Sequence, residues 1–330
     1  MRSFLAMSGG GDRGCVLVGI LDELQHMKGE SEIRWDECAG ISAGALAAGM
    51  VAQTTPETFV DMIRTLKHIF LNGGFHVVDA WVYGGQIINM LDALMWHESV
   101  FQNTAMSDLI NKHFDMKNVK RPFSVGAYNK SLCRYESFTS KDEKDMKSAM
   151  LASAAVPVIL PNVEIDSYKY EDGGMRHMFP IEEIEKWVKK TPGKKHVDVL
   201  MCFPVNNYEI FMKMCVPTTG YPIINNAVRT MSDIMLQTME SDLCRLGKLV
   251  NKSYEEITQS NCGEFTLNDL TVRILSPADG EFTSFIHMNP KSSMNSKRPE
   301  QKIADIGCPG SIVIQSRSRV EKTAGANTCR

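Results

Sequence analysis

The stretch Glu37-Cys38-Ala39-Gly40-Ile41-Ser42-Ala43-Gly44-Ala45 decides how this chain reads. Its centre is G-x-S-x-G, with Ser42 in the middle. A short strand-like run, Ile33 to Ala39, precedes it, and a run of small helix-compatible residues, Ala43 to Ala52, follows. Strand, sharp turn and helix form the setting in which a serine hydroxyl is pushed out above a sheet as a nucleophile. Gly40, Ile41, Ala43 and Gly44 would form the elbow around it. The two glycines suit a turn where neighbouring backbones come close. The helix that follows directs its unbonded N–H groups at any charge forming beside Ser42. Alone, the motif fits a plain small-residue turn equally well, so the remainder of the chain has to decide.

Upstream, Phe4 to Met7 reads as a buried strand and Cys15 to Met27 as a helix with Val16, Ile20, Leu21 and Leu24 on one face. Between them lies Gly9-Gly10-Gly11-Asp12-Arg13-Gly14. This matches G-x-G-x-x-G, so a dinucleotide-binding protein is one alternative. That fingerprint wants an acid about 20 residues on, closing the next strand. Glu37 is nearest, yet its strand ends in Cys38-Ala39-Gly40 and the second turn is given to the serine motif. The other use of the loop is as an oxyanion site. Gly9, Gly10 and Gly11 offer backbone N–H groups uncluttered by side chains, and Arg13 adds positive charge.

Downstream, helices are expected over Pro56–Leu71, Gly85–Met95, Thr104–Phe114, Asp142–Ser153, Pro180–Lys189 and Pro222–Val250. The last carries Ile224, Val228, Met231, Met235, Met239, Leu243, Leu246 and Val250 along one continuous face. Strands are expected over Phe123–Tyr128 and Arg134–Phe138 around an Asn129-Lys130 turn, and over Val163–Tyr170, His196–Phe203 and Asp269–Leu275. Trp81 to Phe101 is apolar and irregular, fit for a wall beside a site. After Pro290 the composition turns to Lys, Ser, Arg, Pro and Gly. This divides the chain into a domain over 1–290 and a loop-rich, partly disordered tail over 291–330.

The bulk numbers fit a soluble globular protein. A net charge of −3 implies no nucleic-acid field, and no apolar run approaches the length of a membrane span. Nine cysteines without C-x-x-C pairing, behind an N-terminus too short for a signal peptide, read as reduced thiols in the cytoplasm. No metal-binding spacing is present, and no cofactor is expected. The 21 methionines fit core filler better than an adaptable apolar surface. Of the eight histidines, His177, His196 and His287 follow Asp172. A Ser-His-Asp esterase or peptidase would need one of them as its base, and none stands in a distinctive loop.

Three blocks together resemble the patatin-like phospholipase family. Gly9–Gly14 looks like its oxyanion loop, with Arg13 at the basic position. Gly40–Gly44 looks like its nucleophile elbow, and Asp172-Gly173-Gly174 like its D-G-G/A motif. A fourth block, Ala152-Ser153-Ala154-Ala155-Val156-Pro157, resembles the segment before that motif. The resemblance covers roughly residues 1–205. It implies an α/β fold of three α/β/α layers around a mostly parallel sheet. It implies a lipid acyl hydrolase of phospholipase A type in which Ser42 and Asp172 form a dyad, with no catalytic histidine and no calcium. The substrate would be a phospholipid or other acyl lipid met by peripheral contact with a membrane; a homo-oligomer is compatible with the sequence. One departure stands out. Where the family often carries an asparagine before a proline, this chain has Met175-Arg176-His177-Met178-Phe179-Pro180, which removes a bond expected to brace the Asp172 loop.

Overall fold

A continuous run of buried apolar residues sets the first strand, β1 (Arg2–Met7), whose last four residues are all buried. Strands covered on both faces read as continuous apolar runs, so helices must pack on each side. β1 pairs in parallel with β2 (Glu37–Ile41) on one edge and with a late strand, Lys195–Leu200, on the other. The computed structural model describes residues 1–28, 35–72, 79–80, 82–83, 86–87, 98–142, 145–206, 222–259 and 262–277.

The remaining strands of the main sheet are β3 (Phe123–Asn129), β4 (Arg134–Thr139), β5 (Val163–Ile165), β6 (Tyr168–Asp172), β7 (Lys195–Leu200), β8 (Cys262–Leu267) and β9 (Leu270–Leu275). Their order is β8-β9-β7-β1-β2-β3-β6-β5, with β4 paired to β3. The strands β9, β7, β1, β2 and β3 run parallel, and antiparallel strands finish both ends. The expected mostly parallel central sheet is present.

The helices fall into two packed groups. α1 (Gly14–Lys28), α2 (Ala43–Ala52) and α3 (Phe59–Lys67) pack on one another, and α5 (Met146–Ser153) joins α2 to α4 (Thr104–His113). α6 (Ile181–Lys190), α7 (Pro222–Leu249) and α8 (Tyr254–Thr258) form the second group. Phe4 of β1 meets Trp187 of α6 with ring centroids 5.3 Å apart. The face of α7 buries Met231, Met235, Met239, Leu243 and Leu246, as the spacing predicts.

Several elements differ locally from expectation. Val163–Tyr170 is not one strand but the β5–β6 hairpin, because Asp166 (φ 51°) and Ser167 (φ 66°) make a two-residue turn of the left-handed kind that matches strand twist. Pro56–Leu71 divides into a 3-10 turn over Pro56–Thr58, helix α3, and a wide turn over His68–Asn72. α5 starts at Met146 rather than Asp142, because the Asp145 carboxylate accepts the N–H groups of Lys147 and Ser148 and caps it there. Gln86–Ile87 pairs with Val82–Tyr83 as a short hairpin, so helix does not begin at Gly85; the rest of that predicted helix, with Trp81 and Trp96, lies outside the described residues. The tail over 291–330 lies outside them too.

Candidate active site

Ser42 sits directly after β2, with φ 54° and ψ −123°. A non-glycine residue holds such angles only where its surroundings over-determine them. Here they do. A side chain on Gly40 would collide with the carbonyl of Gly44, and one on Gly44 with that of Met7. The serine motif therefore needs glycine at both positions. The Ser42 N–H donates to Ser153 Oγ at 2.9 Å, and the Ser153 hydroxyl donates in turn to the Gly126 carbonyl at 2.6 Å. The Ser42 carbonyl accepts Ala45 N–H at 2.9 Å, starting α2. The N–H groups of Ala43 and Gly44, first in the helix, have no acceptor within it and carry its positive dipole end.

Asp172 closes β6 and arrives from the opposite direction. Ile41 pairs with Gly126 on β3, and Asp172 pairs with Ala127, the next residue of the same strand. β2 runs parallel to β3 and β6 antiparallel, so the two strands end head to head. Asp172 N–H donates to the Ala155 carbonyl at 2.9 Å, and Oδ1 accepts Gly174 N–H at 2.7 Å. Gly173 packs so closely on Gly126 that a side chain there would collide with its carbonyl. The carboxylate is buried, 1% exposed. Burial pushes it up to about 7, against the Ser42 hydroxyl and the Gly174 N–H, which pull it down. Oδ2 has no hydrogen-bond partner of good geometry. The Ser42 hydroxyl is thus near enough to act on the carboxyl without closing a full bond, as is common before substrate binds.

The glycine loop follows β1 at the carboxyl end of the sheet, where ligands of parallel α/β sheets bind. A side chain on Gly9 would stand 3.2 Å from Ser42 Cβ, so the loop passes right beside the candidate nucleophile. Gly9 N–H, however, donates to the Met178 carbonyl at 2.8 Å. This corrects the expectation that all three glycine amides face an oxyanion. Gly9 contributes its missing side chain, which leaves the Gly10 and Gly11 amides as the candidate donors. Arg13 is buried with its guanidinium 5.1 Å above the Phe203 ring, and its backbone N–H donates to the Gly10 carbonyl at 3.1 Å. Ser8 ties the loop to β7: its hydroxyl accepts Cys202 N–H at 2.8 Å and donates to the Gly9 carbonyl at 3.0 Å.

The rival readings have less support in the geometry. Glu37 begins β2, opposite Phe4, whereas the loop leaves β1 after Met7 at the other end. It cannot be the acid that closes a nucleotide site. His177 Nδ1 lies 2.7 Å from Asp242 Oδ1, and His196 Nε2 lies 2.8 Å from Asp198 Oδ1. Neither is hydrogen-bonded to Ser42 or Asp172; His287 lies outside the described residues. The brace expected to be missing after D-G-G comes from elsewhere. Asp242 of α7 accepts Met178 N–H at 2.7 Å. Ser8, Ser153 and Asp242 were not marked as functional by sequence, since each lies in a run that reads as strand end, helix end or core helix. Among the described residues no cluster of His, Cys, Asp and Glu could hold a metal ion, and burial pushes the Cys38 thiol of β2 up to about 12.

A probable lipid hydrolase, 463L of Invertebrate iridescent virus 6, is 25% identical over 207 residues, which are 58% of this chain and 66% of that protein. The chain thus spans just under two thirds of that relative's length. Among solved structures, VipD from Legionella pneumophila overlaps with a TM-score of 0.33 at 11% identity, over 73% of this chain and 67% of that one. The ExoU–SpcU complex of the Pseudomonas aeruginosa type III secretion system overlaps with a TM-score of 0.26 at 14% identity, over 78% and 58%. Both overlaps are too loose to support a structural argument. The sequence model of the patatin-like phospholipase family matches residues 5–184. That is more than half of the chain, and it contains the glycine loop, Ser42 and Asp172; the chain belongs to the patatin-like phospholipase family.

Proposed function

We propose that this chain is a lipid acyl hydrolase of phospholipase A type working through a Ser42–Asp172 dyad. The observation that carries the reading is the head-to-head ending of β2 and β6 on neighbouring residues of β3, which brings Ser42 beside a buried carboxylate. Ser42 Oγ attacks the ester carbonyl carbon, and its proton passes to Asp172 Oδ2. Oδ1 stays bonded to Gly174 and holds the carboxylate in place. The negative charge on the carbonyl oxygen is met by the Gly10 and Gly11 amides and the N-terminus of α2, the kind of preorganised stabilisation that dominates acyl transfer. Protonated Asp172 then gives its proton to the leaving alcohol. Water, deprotonated by Asp172, releases the fatty acid from Ser42. Arg13, stacked on Phe203, holds the glycine loop and adds positive potential.

A carboxyl near pKa 7 suits this work better than one near 4, since a general base is most effective when its pKa lies close to the working pH. The substrate is a phospholipid or related acyl ester reached by peripheral contact with a membrane, and hydrolysis proceeds with EDTA present. No helix among the described residues is long and apolar enough to cross a membrane. The test is labelling with a fluorophosphonate followed by mapping of the modified residue. Ser42 is expected to carry the label, and Ser42→Ala to lose hydrolysis by several powers of ten with its fold intact. A label on another serine, or an active Ser42→Ala protein, overturns the reading.

A further inference from the structure

The long helix α7 lies beyond residues 5–184, yet its side chains reach the candidate site. Asp242 is fully buried. Its Oδ2 accepts Met178 N–H at 2.7 Å, and its Oδ1 meets His177 Nδ1 at 2.7 Å. The Met178 carbonyl accepts Gly9 N–H at 2.8 Å. Gly9 in turn sits with its missing side chain 3.2 Å from Ser42 Cβ. The N–H and the carbonyl of Met178 flank one Cα: Asp242 holds the first, and Gly9 is bonded to the second. Holding Met178 N–H from behind therefore restricts where the carbonyl that receives Gly9 points, and with it where Gly9 and the loop that follows can lie. Other contacts put α7 against the same turn: Met235 packs on Gly174, and Thr238 Oγ1 donates to the Gly174 carbonyl at 3.4 Å.

We infer that Asp242 is a positioning residue for the Ser42 site, setting the glycine loop against the nucleophile through Met178. The inference rests on the dyad reading above. His177 is the lesser partner in it. Its imidazole satisfies the second oxygen of Asp242 and reaches Glu182 Oε1 at 3.3 Å, but it makes no contact with the loop itself. The buried acid is held on one side by a side chain and on the other by backbone, and only the backbone side leads to Gly9.

The chemistry predicts an uneven set of variants. In Asp242→Ala the Met178 N–H loses its acceptor, and kcat on a soluble ester should fall at least about thirtyfold with KM within about twofold, because loss of orientation at the reacting centre acts on turnover. Asp242→Asn should rescue most of it: the amide oxygen still accepts Met178 N–H, and the amide nitrogen can donate to His177 Nδ1 once that imidazole carries its proton on Nε2. His177→Ala should keep most of kcat despite disturbing the same buried pair. A merely structural role for Asp242 would make His177→Ala and Asp242→Ala equally impaired per folded molecule, and that result overturns the inference. If Asp242→Ala does not fold, amide hydrogen exchange decides. Gly9 should exchange faster in Asp242→Asn, with its weaker neutral acceptor, than in His177→Ala; equal protection overturns the inference. Ser42→Ala is run beside them. An active Ser42→Ala removes the dyad reading itself, whereas an inactive Ser42→Ala with a fully active, folded Asp242→Ala removes only the role of Asp242.

Discussion

Ile41 and Asp172 lie opposite consecutive residues of one strand, Gly126 and Ala127. Two strands that approach from opposite directions along the same edge of β3 stop when they meet, and the residues at their tips are forced together. The separation of Ser42 from Asp172 is thus set by backbone pairing in the sheet rather than by loop conformation. Sites built on strands hold geometry better than sites built on loops.

The first consequence is a pH profile. Burial raises Asp172 to about 7, and the proposed base must be ionised to accept the Ser42 proton. The rate on a soluble ester should rise with pH through a single ionisation near 7 and fall about tenfold per unit well below it. Asp172→Asn should abolish both the activity and the profile. A limb centred near 4 would mean that the carboxyl is hydrated during turnover.

The same burial has a cost in stability. The folded state holds the Asp172 proton more tightly than the unfolded chain, where a carboxyl titrates near 3.9. Below that value both states are protonated and the group is neutral to stability. Between it and about 7 the unfolded state ionises first, so the wild type loses stability as pH rises through this window. A shift from 3.8 to about 7 corresponds to at most about 4 kcal/mol. Asp172→Asn should therefore unfold at a higher temperature than the wild type at pH 8, with the difference shrinking towards pH 4. A lower melting temperature at pH 8 would contradict it.

Ser153 offers a sharper test of the elbow. One hydroxyl accepts Ser42 N–H and donates to Gly126 O, two jobs that an apolar side chain cannot do. Ser153→Ala leaves a buried N–H without a partner, at a cost of about 1–3 kcal/mol, and frees the strained backbone at Ser42 to relax. Turnover should fall by one to two powers of ten, roughly the effect of a small misplacement. Ser153→Thr, which keeps the hydroxyl, should retain more activity than the alanine variant. Equal activities would leave Ser153 a packing residue only.

The sheet, the elbow and the acid were legible because each writes itself locally. Apolar runs mark β1 and β7, paired glycines mark the turn at Ser42, and Asp172-Gly173-Gly174 marks the end of β6. What was not legible is who holds these pieces. Ser153 ends a helix and Asp242 sits inside one, so neither breaks a pattern. Their roles follow only from register across more than 60 residues of sequence. Gly9 shows the reverse case. Its motif suggested a donor to the site, and only the fold reveals that its N–H belongs to Met178. The β5–β6 hairpin was missed because Asp166 and Ser167 adopt positive φ without a glycine to advertise it.

The last prediction separates a dyad from a triad. His196 Nε2, Arg273 Nε and Trp35 Nε1 all converge on Asp198, at 2.8, 2.7 and 2.8 Å. Burial would raise that carboxyl, but His196 and Arg273 outweigh it and hold it below its ordinary value. A group with a depressed folded pKa stabilises above the unfolded value and loses that contribution as pH falls through the folded one. The cluster is therefore a structural tie between β7, β9 and the Trp35 segment before β2. His196→Ala leaves Asp198 with two partners and should lower the melting temperature, by about 1–3 kcal/mol of stability. Turnover per folded molecule should stay within a few-fold of the wild type. His177→Ala should behave likewise, its imidazole being engaged by Asp242 and Glu182, and His287→Ala completes the set of late histidines. Normalising to folded enzyme matters, because a partly unfolded variant would otherwise pass for an inactive one. Should any one of the three lose as many powers of ten as Ser42→Ala while folded, a histidine stands between Ser42 and Asp172 during turnover, and the direct proton transfer proposed for this site is wrong.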